Sequence, residues 1–193
     1  MWRQNRWARS MRASVRAELD LPADSRVLMQ AGKLDALKRP VELAEAFARL
    51  DDPRWHLVYV GSMERDVREA AERAAGSTGR LRFTGMVDGG RALAYIVAAD
   101  IAAYPGAPSV LWQQTAALGV PAIFFEPAPG DADYLSDDSA LFVRHGTADE
   151  VVEALRALTA DEKRLAEMGA RARKHAEAVL DYDMLAKKCL DVL

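Results

Sequence analysis

Six short apolar runs punctuate the sequence: RVLMQA at 26–31, WHLVYVG at 55–61, LRFTG at 81–85, DIAAYPG at 100–106, PAIFF at 121–125 and ALFV at 140–143. Runs this short and this continuous read as strands buried on both faces. Helix-period segments lie between them. RPVELAEAFARL puts Leu43, Ala44, Phe47 and Leu50 on one helical face, with Pro40 in a first turn that needs no amide donor. Further helical patterns cover about 63–75, a segment containing RALAYIVAA, and 109–118. The loop EPAPGDADYLSDDS separates the last two strands, and from Thr147 onward the pattern is helical. Strands alternating with helices predict an α/β fold, a doubly wound parallel sheet of about six strands followed by C-terminal helices.

That fold directs attention to two loops. In the common doubly wound order, strands one and four are neighbours and ligands bind beyond their carboxyl ends. The loop after strand one, AGKLDALKRP, carries Lys33, Lys38 and Arg39 with one acid, although the whole chain has a net charge of −3. The loop after strand four, YPGAPS, feeds a helix beginning near Ser109, a good N-cap residue, and Gly106 permits close backbone approach. A helix start offers free amide donors and a positive dipole end. Lysines facing free amides predict a phosphate or diphosphate cradle. The plain alternative is that both lysines are solvated surface charge.

Composition narrows the classes. With 193 residues, half of them hydrophobic, the chain can bury a sizeable core as one domain. Its 26 basic and 29 acidic residues argue against nucleic acid as the partner. The single cysteine, Cys189, reads as a small apolar filler, excludes an internal disulfide and suits a reducing, cytoplasmic compartment. No apolar run reaches transmembrane length. The opening MWRQNRWARSMRASVR has five arginines, two tryptophans and no acid, so it could lie on an anionic membrane surface or serve as an interdomain linker.

At the loop residues the sequence resembles the C-terminal, donor-binding domain of GT-B glycosyltransferases. The type is the retaining, nucleotide-sugar-dependent group 1 (family 4) that includes glycogen synthase-like enzymes. The matching residues are Gly32, Lys33 and Lys38 after strand one, Val60 and Gly61 after strand two, and Phe83, Gly85 and Val87 after strand three. Ala99 and Asp100 open strand four, and Ala117, Gly119 and Pro121 follow. The resemblance implies a Rossmann-like donor-binding domain over residues 21–193, with 1–20 as a basic segment or interdomain linker. It implies Lys33 and Lys38 as catalytic cations stabilising the leaving diphosphate. Gly32, Gly61, Gly85, Val87, Gly106, Ser109, Val110, Leu111 and Gln114 would bind a nucleoside-diphosphate sugar, the co-substrate, without metal or other cofactor. Two family glutamates, one for the donor sugar and one for the ribose, fall here on Gly106 and Gln114. Gln114 can still hydrogen-bond a ribose hydroxyl; sugar recognition has no such substitute.

The same resemblance implies an upstream Rossmann-like half that holds the acceptor, on a longer chain or another polypeptide. Helices from about Asp181, with Met184, Leu185 and Leu190, would be exposed toward it or pair with a second copy. The rival is a non-catalytic domain of the same fold that binds a nucleotide or a partner protein. Asp131 and Asp133 mimic a metal-binding carboxylate pair, yet read better as a solvated loop. His56, His145 and His175 stand in separate elements with no triad or ligand spacing. Trp55 and Trp112 read as packing residues, and Glu126 as a solvated loop carboxylate.

Overall fold

The computed structural model describes residues 6–128, 132–136 and 139–180. Asp131, Cys189, Met184, Leu185 and Leu190 lie outside the described residues. The strands are β1 (Arg26–Ala31), β2 (Trp55–Val60), β3 (Leu81–Phe83), β4 (Ile101–Tyr104), β5 (Ala122–Phe125) and β6 (Leu141–Val143). They form one sheet in the order β3-β2-β1-β4-β5-β6, and every pairing is parallel. The fold is the Rossmann-like α/β sheet expected, and its switch point falls between β1 and β4, where Leu28 pairs with Ile101 and Met29 with Ala102.

Successive residues of β1 enter opposite cores, Val27, Met29 and Ala31 on one face and Leu28 on the other. The helices are α1 (Arg6–Glu18), α2 (Pro40–Ala48), α3 (Arg65–Ala75), α4 (Gly89–Ala98), α5 (Val110–Ala117), α6 (Ala148–Thr159) and α7 (Glu162–Val179). α2, α3 and α6 cover the Leu28 face; α1, α4 and α5 cover the other. α7 crosses between them, with Met168 in one core and Ala172 and Ala176 in the other. Leu43, Ala44, Phe47 and Leu50 are buried as their spacing predicts, and Trp55 and Trp112 are packing residues.

The basic N-terminal stretch is, over its described part, the helix α1. Its Ala8 and Val15 are buried. Arg12 and Arg16 donate to the two carboxylate oxygens of Asp100 at 2.5 and 2.6 Å, and Val27 N donates to the same carboxylate at 2.8 Å. Glu18 pairs with Arg91 and accepts from Tyr95 Oη at 2.6 Å, holding α1 to α4. Two of the five arginines are therefore engaged within the domain. Among the described residues no helix is long and apolar enough to cross a membrane.

His56 opens β2 and is only 7% exposed, with Nδ1 lacking a partner among the described residues. Burial, then Arg82, Arg80 and Arg16, hold its pKa below the ordinary 6.5. The unfolded chain takes up this proton more readily than the folded one. The stability owed to neutral His56 is thus full above about pH 6.5 and is lost as the pH falls below it. His56→Gln, uncharged throughout, is expected to flatten the fall in Tm between about pH 7 and about pH 5, followed by circular dichroism. An unchanged pH profile would dismiss the histidine as its source.

Candidate functional site

Every residue expected at the site lies at the carboxyl edge of the sheet. Gly32 and Lys33 follow β1, Gly61 follows β2, Gly85 and Val87 follow β3, and Gly106 follows β4. Val110, Leu111 and Gln114 stand in the first two turns of α5, and Ser109 occupies its N-cap position. Backbone contacts link these loops into one rim. Gly61 N donates to Gly85 O at 3.0 Å, and Gly32 N to Val60 O at 2.9 Å. A Cβ on Gly61, where φ is +117°, would lie 2.1 Å from Gly32 O. A Cβ on Gly32 would lie 3.5 Å from Leu111 Cδ1, which brings α5 against the β1 loop.

The β1 and β4 loops are joined most tightly at Gly106. Ala107 N donates to Leu37 O at 2.9 Å. A Cβ on Gly106 would lie 2.2 Å from Leu37 O and 2.8 Å from Lys38 Cα. Gly106 therefore meets the neighbouring backbone directly and leaves no room for a side chain. Beneath the junction, Tyr104 stacks on Phe124 at 5.6 Å and its hydroxyl bonds Thr115 Oγ1 at 2.9 Å, which fixes α5 to β4.

Two expectations need correction. Ser109 stands at the N-cap with extended backbone, but its hydroxyl makes no capping bond. Lys38 is not a free cation. It ends a 3-10 turn (Ala36–Lys38), and its Nζ donates to Ala107 O at 2.7 Å and Pro108 O at 2.6 Å. Burial pushes its ammonium below the usual lysine value, with Asp35 opposing. An ammonium has three donors, so one remains for a ligand. Lys33 is exposed and makes no hydrogen bond or ion pair among the described residues.

Residues absent from the sequence-based set also shape the rim. Gln30, 1% exposed, donates from Nε2 to Lys38 O at 2.6 Å and holds the end of the β1 loop. Arg39, at φ 55°, leads into Pro40 and α2. Gly146, after β6, brings a third loop in, since its Cβ would lie 1.9 Å from Pro105 O. The KRP triplet and the RHGT turn were their only traces in the sequence. Leu37, Met86 and Val110 are 73%, 83% and 62% exposed, so the rim is apolar as well as basic.

Glu126 pairs with Arg144 at 3.2 Å, and His175 Nε2 lies 2.8 Å from Asp133 O. Among the described residues no three His, Cys, Asp or Glu side chains could hold a metal. A groove of about 570 Å³ opens at the opposite, amino edge, lined by Arg26, Trp55, Asp100, Gly119 and Arg173. Most of its charges are already paired, Arg26 with Glu162, Arg173 with Glu177 and Asp100 with α1. The crevice at the carboxyl edge is the better candidate for chemistry.

A parallel sheet with a basic loop and a helix start meeting at its switch point defines a Rossmann-like domain. The chain belongs to the glycosyl transferases group 1 family, whose model matches residues 11–175. Solved structures show the same fold. Sucrose-phosphate synthase from Thermosynechococcus elongatus aligns at TM-score 0.78 and 22% identity, over 93% of this chain and 47% of that one. Anabaena HepE in complex with UDP aligns at TM-score 0.83 and 18% identity, over 95% and 52%. The C-terminal domain of the group 1 protein LpcC from Francisella tularensis aligns at TM-score 0.76 and 16% identity, over 89% and 93%. The chain thus spans about half the length of the first two and nearly the whole of the isolated LpcC domain. No curated protein matches it significantly.

Proposed function

We propose that this chain is the donor-binding, C-terminal half of a retaining, family 4-type GT-B hexosyltransferase, taking a nucleoside-diphosphate sugar at the carboxyl-edge crevice. The observation that carries this reading is the junction of the β1 loop with the start of α5, inside a chain of the group 1 family. Lys33, the remaining donor of Lys38 and the first amides of α5 converge there on the place a diphosphate would occupy. An acceptor hydroxyl attacks the anomeric carbon, the carbon–oxygen bond to the diphosphate breaks with its electron pair passing to the leaving phosphate oxygen, and the hydroxyl proton passes to that diphosphate. Preorganised donors stabilise that charge electrostatically, without a metal in the step. Gly61, Gly85 and Val87 flank the nucleoside, and Gln114 meets the ribose.

The acceptor half is a second Rossmann-like domain, and the exposed Leu37, Met86 and Val110 face it across the cleft. Residues 1–20 lead from that half into residues 21–193, and α1 within them packs onto the sheet as part of this domain. Alone, the chain binds donor and does not turn it over, because closure of two domains completes such sites. The enzyme works in the cytoplasm, building cell-surface polysaccharide, and HepE's complex with UDP-glucose supports the choice of a nucleotide sugar as donor. Calorimetric titration with UDP, GDP and ADP, their sugars and the bare nucleosides tests the reading. At least one diphosphate is expected to bind more tightly than its nucleoside; equal binding, or none, would refute the cradle. A non-catalytic nucleotide-binding role is the second reading, favoured by the lack of side-chain space at Gly106 and by Gln114 in place of an acid. Transfer activity on adding the companion half would exclude it.

A further inference from the structure

One residue at the crevice occupies a backbone conformation that it does not favour. Arg39 has φ 55° and ψ 47°, the left-handed region that glycine adopts freely and residues with a Cβ avoid. The next residue is Pro40, which favours extended backbone in the residue before it. Arg39 is also the N-cap of α2 with no side-chain capping bond, a cation placed at the positive end of a helix. The left-handed backbone closes the 3-10 turn Ala36–Lys38, where Arg39 N donates to Ala36 O at 3.1 Å. A residue with a Cβ before proline and at a helix start is still strained there, and such strain gathers where a side chain has work at a site.

Its surroundings indicate what that work is. The point where a Gly146 Cβ would lie is 2.7 Å from Arg39 Cδ, 3.1 Å from its Nε and 1.9 Å from Pro105 O. The arginine stem therefore runs over the β6 loop, beside the β4 loop that carries Gly106. One of its five N–H donors reaches Glu42 Oε1 at 3.2 Å, and the side chain is 37% exposed. With a diphosphate over β1 and β4 and the nucleoside toward β2 and β3, the sugar leaves on the side of β4 to β6. There, among the described residues, three carboxylates are already engaged: Glu42 with Arg39, Glu126 with Arg144 at 3.2 Å, and Glu150 with His145 N at 2.8 Å. Position 106 has no space for another. The sugar end is met by a guanidinium fork.

We propose, resting on the nucleotide-sugar reading above, that Arg39 selects a donor whose sugar is a hexuronic acid, with the guanidinium taking the sugar carboxylate in a paired, charge-assisted hydrogen bond. The planar fork matches a carboxylate bidentately, which an ammonium cannot do. A neutral hexose offers that fork only single hydroxyl contacts.

The test is calorimetric titration of the chain with UDP, UDP-glucose and UDP-glucuronate, and with GDP, GDP-mannose and GDP-mannuronate. For the nucleotide that binds, the uronate is expected to bind roughly 10-fold or more tightly than the neutral sugar. In Arg39→Gly, which places glycine where the backbone favours it and so keeps the fold, that ratio is expected to collapse to about one. Arg39→Lys, with charge but no fork, should keep only part of it. A diphosphate that binds while its acidic and neutral sugars bind alike overturns the inference and leaves the cradle standing, as does a ratio that survives Arg39→Gly. Binding of neither UDP nor GDP overturns the nucleotide-sugar reading for these donors and the inference with it.

Discussion

Gly106→Ala is expected to destabilise the domain by about 3 kcal/mol, and Gly106→Glu by more, with loss of nucleotide binding in both. The added Cβ would stand 2.2 Å from Leu37 O and 2.7 Å from Lys38 C, and both atoms are backbone. Backbone cannot swing aside as a flexible side chain can, so the β1 loop must shift and the Ala107–Leu37 hydrogen bond must stretch. For a domain of this size the loss corresponds to a fall in Tm of roughly 10 °C. Gly89→Ala is the control: nothing lies within 4 Å of its added Cβ, and it opens α4, where alanine is the better helix former. Its Tm should hold or rise. If Gly106→Ala melts with Gly89→Ala, the two loops are not closely joined at Gly106. The glutamate variant adds a second point. Restoring the acid expected at this position would not restore a sugar contact, because the carboxylate has nowhere to go.

Replacing both Lys33 and Lys38 with alanine is expected to weaken nucleoside diphosphate binding by roughly 100-fold or more, while the bare nucleoside binds nearly as before. The single variants should differ in kind. Lys33 is exposed and has no partner among the described residues, so Lys33→Ala should lower affinity at unchanged Tm. Lys38 also ties Ala107 O and Pro108 O to the β1 loop, so Lys38→Ala should lower affinity and cost about 1 kcal/mol of stability. Raised salt should erode diphosphate binding through Lys33 first, since exposed charges are screened most. Calorimetry on each variant, with thermal melts alongside, separates the two roles. A double variant that is folded and binds the diphosphate as well as the wild type would return both lysines to plain surface charge.

The strands were legible because parallel strands buried on both faces leave continuous apolar runs, and β1 and β2 begin at the residues their runs predict. Their order followed from the common doubly wound topology, and the facing loops came with it. Helix α1 was not legible. Its arginines suggested a membrane-lying segment or an interdomain linker, and its partner, Asp100, is far away in sequence. Lys38 was identified as a cation but not as a staple, because its carbonyl partners sit on the loop after β4. Arg39 was hidden for a local reason: arginine before proline argues for extended backbone, whereas here it closes the 3-10 turn Ala36–Lys38 in the left-handed region, its N–H donating to Ala36 O at 3.1 Å. Patterns along the chain report burial well. Contacts between loops that are distant in sequence, which make the crevice, leave only isolated glycines as their trace.

The central pairing of β1 with β4 also bears on how the molecule folds. β1 and β2 are close in sequence and can associate early, whereas Leu28 must wait for Ile101, after three helices and two strands have intervened. Closing so long a loop is entropically late. The crevice, which exists only once that closure is made, should therefore be among the last features to appear during refolding. A ligand-sensitive signal in a stopped-flow experiment would then track the final, rate-limiting phase and not the early gain of helix.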